Sequence, residues 1–247
     1  MFLEELLTRQ ASTFHPVIPF DKSKDRFYLF DFTERNDELS AGQIADTEDF
    51  ADYINAKLKS SECKYGIGGY NEHRTLYARS KHFDIQYRSP EMVAAAMLDT
   101  ETEARRLHLG TDIWGPSGTK VMAPLNGLLH SFAFNNNDSD YGATIILTHN
   151  IDGHSFHTLY GHLSLNSLKN LHAGKRINQG EVFTEFGMRF ENGNWPPHLH
   201  FQIIKNMNGW EGDYPGVCSY AERESWLNNS PDPELLLQLK PYVLNKH

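Results

Sequence analysis

The stretch NWPPHLHFQII, Asn194 to Ile204, sets two prolines directly before a run of apolar residues broken by two histidines. Neither proline can donate to a ladder or continue a helix, and Phe201, Ile203 and Ile204 favour a pleated surface, so a strand is predicted from His198 onward. Successive strand side chains point to opposite faces, which places His198 and His200 on one face, about 6–7 Å apart. Such a pair can be two metal ligands, a ligand and a proton carrier, or an accident. With 13 histidines in 247 residues, chance alone supplies about one His-x-His pair, so the meaning of this one rests on the remainder of the chain.

Working outward, the composition narrows the function classes. Hydrophobic residues make up 39% and charged residues 22% of the chain, as in ordinary globular domains, and the formal net charge is −9. That balance argues against a nucleic-acid partner, which would be held by neutralising phosphates with Lys and Arg. Arg105-Arg106 is the most basic local pair, and Glu101 and Glu103 precede it. Glu4 and Glu5 interrupt the N-terminus where an export signal needs a basic start and an apolar core, and no stretch is long enough to span a membrane. Cys63 and Cys218 are too few for a disulfide scaffold and lack Cys-x-x-Cys spacing. Buried free thiols and a cytoplasmic location are expected.

Residues 1–104 look mixed α/β. MFLEELLTRQ predicts an amphipathic helix with Phe2, Leu3, Leu6 and Leu7 on one side. DTEDFADYINAKLKSS predicts a capped helix with Phe50, Tyr53, Ile54 and Leu58 inward, and Ser89-Pro90 predicts another helix start. YGIGGYNEHRTLYARS lacks the GxGxxG phosphate pattern and reads as a flexible loop leading into a strand. From residue 105 short β runs alternate with turn signals. Asn126-Gly127 and Asp152-Gly153 predict hairpins, NNND at 135–138 a loop tip, and residues 211–247 a loop and helix extension. An antiparallel arrangement of packed sheets or a partly rolled barrel follows.

Three separated motifs carry chemistry: HLGTDIW with its following GTKVMAPLNG, then LYGHLS, then HLHFQI. Together, in this order, they resemble the lysostaphin-type zinc peptidases, the family that includes the β-lytic enzymes, over about residues 105–205. The resemblance implies a mainly β fold with an α-helical N-terminal region, in which antiparallel sheets form a zinc-lined groove, with the peptidase core at 105–210. It implies Zn²⁺ as cofactor, with His108, Asp112 and His200 as metal ligands and His162 and His198 as the catalytic pair, acting on a peptide or amide substrate. Two imidazoles and one carboxylate suit a catalytic zinc that keeps one position open. No His-Glu-x-x-His motif supplies a glutamate base, so His162 and His198, expected to titrate near neutrality, would move the protons. His149, His154 and His157 read as strand residues without a site role. The loop RFENGNWPPHLHF departs from the Ser-Thr-Gly-Pro type loop of wall-cleaving members. Together with YNEHRTLY upstream, it looks more like the peptidase-type domain fused to class III aminotransferases.

Overall fold

The computed structural model describes residues 2–84 and 103–244. The helix expected from Ser89 and Pro90 lies outside them. The described strands are β1 (Phe27–Phe30), β2 (Tyr65–Gly68), β3 (Glu72–His73), β4 (Leu107–His108), β5 (Thr111–Trp114), β6 (Lys120–Met122), β7 (Gly127–Asn135), β8 (Gly142–Ile151), β9 (His154–Leu163), β10 (Arg176–Ile177), β11 (Val182–Glu185), β12 (His198–Ile204) and β13 (Val217–Cys218). The helices are α1 (Leu3–Arg9), α2 (Ala41–Ala45), α3 (Thr47–Ser60), α4 (Arg223–Asn229) and α5 (Glu234–Leu237). The fold is mostly β and rich in antiparallel pairing, with few helices, as expected.

One sheet dominates, in the order β1-β2-β5-β12-β9-β8-β7-β10. β1 and β2 run parallel, and every other neighbouring pair in it is antiparallel. Two smaller sheets flank it, β11-β6 and β13-β4-β3. β12 lies between β5 and β9, and all of its residues are buried. Its alternation divides them: Leu199, Phe201 and Ile203 join the main core with Leu3, Leu6 and Leu7 of α1, while His198, His200 and Gln202 turn to the other face. Each such apolar side chain, fully buried, contributes about 1.5–3 kcal/mol.

On the site face, α3 covers an aromatic layer. Asp46 caps it by accepting from the backbone N–H groups of Glu48 and Asp49, at 2.7 and 3.1 Å. Phe50, Ile54 and Leu58 then pack with Phe30, Phe32, Trp114 and Trp195. Strands from the first 104 residues extend the sheet past β5. The free edge of β1 is covered where Val243 bridges Phe27 and the Leu244 N–H donates to the Phe27 carbonyl at 3.0 Å.

Asp152-Gly153 forms the expected two-residue hairpin: Ile151 pairs with His154, and the turn residues have φ of 50° and 84°. Three expectations are corrected. Asn126-Gly127 does not join a hairpin, because β6 pairs with β11 while β7 is taken by β8 and β10. The glycine-rich stretch is not a loop at its start: Tyr65–Gly68 is a fully buried strand between β1 and β5. Phe2 is 77% exposed. It occupies the extended N-cap position, φ −78° and ψ 155°, so its side chain leaves the face formed by the three leucines. Cys63 and Cys218 are both buried and free. Among the described helices none is long and apolar enough to cross a membrane.

Candidate metal centre

The register of β12 assembles the site. His200 pairs with Asp112 on β5 and with Gly161 on β9, while His198 pairs with Trp114. His108 comes from β4, separated from β5 by Leu109 and Gly110. The result is a triangle of lone-pair atoms. His108 Nε2 lies 2.9 Å from His200 Nδ1 and 3.3 Å from Asp112 Oδ1, and His200 Nδ1 lies 3.1 Å from that same oxygen. All three residues are buried.

The contacts behind these atoms decide their protonation. His108 Nδ1 donates to the Gly69 carbonyl at 2.9 Å, which leaves Nε2 a lone pair. Gln202 donates through Nε2 to Pro215 O and Ser230 Oγ, so its Oε1 faces His200 and accepts from His200 Nε2 at 3.0 Å. His200 Nδ1 is then a lone pair in the neutral ring. Asp112 Oδ2 accepts from Arg74 Nη1 at 2.5 Å. Burial opposes ionisation of Asp112, but the Arg74 guanidinium on its Oδ2 favours the charged form, and the carboxyl stays well below the usual range. Burial, reinforced by the Arg74 charge, pulls His108 down to about 3. Three acceptors therefore converge with no proton to share, an arrangement that a cation relieves. Zinc, at about 2.0–2.1 Å from each donor, spaces tetrahedral ligands by about 3.3 Å. The observed edges and the N/N/O donor set fit that ion.

His162 and His198 stand beside the triangle, with ring centroids 4.1 Å apart. His198 stacks on Trp114 at 3.9 Å and 16°. His162 Nδ1 donates to Asn192 O and His198 Nδ1 to Pro196 O, both at 2.8 Å, so each ring keeps a lone pair on Nε2. His162 has φ of 62°, a left-handed conformation that costs a non-glycine residue about 1–3 kcal/mol. Its N–H donates to Tyr141 O, and its carbonyl accepts from the Gly187 N–H, which hold it there. Burial lowers His198 to about 4, and burial with the neighbouring His198 and His200 takes His162 well below its ordinary value. Both are neutral at pH 7 rather than titrating near neutrality, because the walls around them exclude solvent. Asp112, His162, His198 and His200 line one cavity, along with Trp114, Trp195 and Tyr141.

All five expected residues are thus brought together, and His149, His154 and His157 stay outside the cavity. His149 bonds Asn126 O and Thr158 Oγ1, and His154 is exposed on the hairpin. Sequence reasoning missed Arg74, Tyr141 and Gln202. Gln202 had a signal, since it continues the one-face alternation of His198 and His200. Gly110 is also tied to the site: a Cβ there would lie 2.5 Å from both Cε1 and Nε2 of His200. Gly110→Ala is expected to displace that ring and weaken metal binding by about 10–100-fold, measured by chelator competition.

Residues 106–211 match peptidase family M23. The five histidine and aspartate positions of the site all fall within the matched residues. An uncharacterized metalloprotease of Haemophilus influenzae is 30% identical over 139 residues, which is 54% of this chain and 27% of that protein. The chain therefore spans about a quarter of that relative's length. Among solved structures, a zinc-containing peptidase from Vibrio cholerae is 25% identical with a TM-score of 0.32, over 40% of this chain and 27% of that one. The catalytic domain of the antimicrobial peptidase lysostaphin from Staphylococcus simulans is 25% identical with a TM-score of 0.35, over 49% and 80%.

Proposed function

We propose that this protein is a zinc-dependent hydrolase of a peptide or amide bond. The observation that carries the reading is the convergence of His108 Nε2, His200 Nδ1 and Asp112 Oδ1 as three lone-pair donors without a proton between them. The M23 match supports the same reaction class. Zinc held by these residues supplies Lewis-acid polarisation of the scissile carbonyl and lowers the pKa of a water to about 7.

The remaining roles fall to the chain's own groups. His162 and His198 each present a neutral Nε2, so either accepts the proton of the attacking water, while its Nδ1–H stays on a backbone carbonyl and fixes the ring. Once protonated, Nε2 delivers that proton to the leaving amine. A neutral Nδ1–H tautomer has no hydrogen on Nε2 to donate, so the developing oxyanion needs another donor. Tyr141, which lines the same cavity, fits: burial keeps its hydroxyl protonated, with a pKa well above the ordinary value.

Elemental analysis of the purified chain should find a single zinc. A panel of short glycyl and alanyl peptides and non-peptide amides should then give turnover that chelator removes and zinc restores. Zinc without turnover on any of them would sink the hydrolase reading, and a metal-free protein purified without chelator would sink the site.

A further inference from the structure

The ligand triangle belongs to the M23 region, but much of what holds it does not. The Gly69 carbonyl that orients His108, and Arg74 that engages Asp112, both precede residue 106. Ser230, which locks Gln202 against His200, follows residue 211. The two flanks are joined as well, since the Tyr70 hydroxyl donates to Ser230 O at 2.6 Å.

Arg74 is the centre of this support. It is 1% exposed, and all three of its nitrogens are engaged. Nε donates to Glu72 Oε2 at 2.6 Å, Nη1 to Asp112 Oδ2 at 2.5 Å and to the Tyr77 hydroxyl at 3.2 Å, and Nη2 to Gly69 O at 3.2 Å. Gly69 O thus receives both Arg74 and His108, so one backbone carbonyl couples the settings of two ligands. The guanidinium also lies over Phe32, 5.2 Å from the ring centroid. With Oδ2 of Asp112 taken by Arg74, Oδ1 alone faces His108 and His200.

We infer that Arg74 is a positioning residue of the metal centre, holding Asp112 to ligation through one oxygen and anchored for that purpose by Glu72. The inference rests on the reading of the triangle as a metal site. It assigns to the N-terminal region a part in the centre itself. Charge alone does not accomplish this. A lysine ammonium at the same place is a single point and cannot bridge Glu72 and Asp112 as a planar fork does.

The test uses the full chain and cobalt(II), whose visible spectrum reports coordination geometry. Wild type should take up a single cobalt with a defined spectrum. Arg74→Met should bind it about 10–100-fold more weakly, with an altered spectrum, and Arg74→Lys should recover only part of the loss. Glu72→Gln, which leaves Arg74 and Asp112 in place, should give a smaller loss of the same kind and decides the matter where Arg74→Met does not fold. Wild-type affinity and spectrum in the folded Arg74 and Glu72 variants would overturn the inference while leaving the metal site standing. Failure of the wild-type chain to bind cobalt would overturn the metal reading and this inference with it, so the wild-type titration separates the two failures.

Discussion

Asp112→Asn is expected to lose both zinc and hydrolysis, whereas His198→Gln is expected to keep the zinc and lose hydrolysis by about 10²–10⁴-fold. The two residues lie one strand apart, yet their surroundings differ in kind. Asp112 Oδ1 is one corner of a triangle whose other corners are imidazole nitrogens at 3.1 and 3.3 Å, and an amide in its place offers no negative charge to a cation. His198 is not a corner. Its Nδ1 is committed to Pro196 O, and its ring lies flat on Trp114. Glutamine fills much of that space but cannot take a proton and pass it on. Zinc content and kcat measured on the same preparations separate the two roles. Zinc loss in His198→Gln, or full turnover without it, would refute the assignment.

What could be read from the sequence was what is local. The alternation that puts His198 and His200 on one face survives intact, because a period of two is set by the pleat and not by neighbours. The Asp152-Gly153 hairpin held for a similar reason, since its turn is specified by the two residues that make it. Asn126-Gly127 carried an equal local signal and failed: β6 was taken by β11 and the start of β7 by β10, both distant in sequence. Tyr65–Gly68 looked like a loop because glycine disfavours strands. Between β1 and β5 the large rings of Phe30 and Trp114 fill the space beside it, and the strand forms. Arg74 was illegible for the deepest reason. Its role exists only after β3 has paired with β4, opposite His108, and β2 with β5, opposite Asp112. Protonation was equally hidden, because the shift of each imidazole depends on burial, which spacing does not reveal.

That burial has a measurable consequence in acid. His149 and His198 are both pulled down to about 4, in each case chiefly by desolvation, and an unfolded imidazole titrates near 6.5. Below pH 6.5 the unfolded chain takes up protons that the native chain refuses, so folding stability falls as pH drops and levels off only below about 4, where both states are protonated. At pH 5 each of these groups contributes a loss of about 2 kcal/mol relative to neutral pH. The loss of about 4 kcal/mol from the pair is large against the 5–15 kcal/mol by which domains are ordinarily stable. His108, lowered to about 3, adds to this in chelator-treated protein. Urea unfolding of metal-free chain at pH 7 and pH 5 should therefore give a sharply lower midpoint at pH 5. His149 is the cleaner probe, because it lies away from the cavity with Nδ1 on Asn126 O and Nε2 accepting from Thr158 Oγ1 at 2.7 Å. A proton on Nε2 turns that acceptor into a donor in a buried site. His149→Gln should flatten the slope of stability against pH between 6.5 and 4 by the share of one group, even if it lowers stability at pH 7. Stability unchanged from pH 7 to pH 5 in the wild-type chain would mean that these imidazoles reach solvent in the native state.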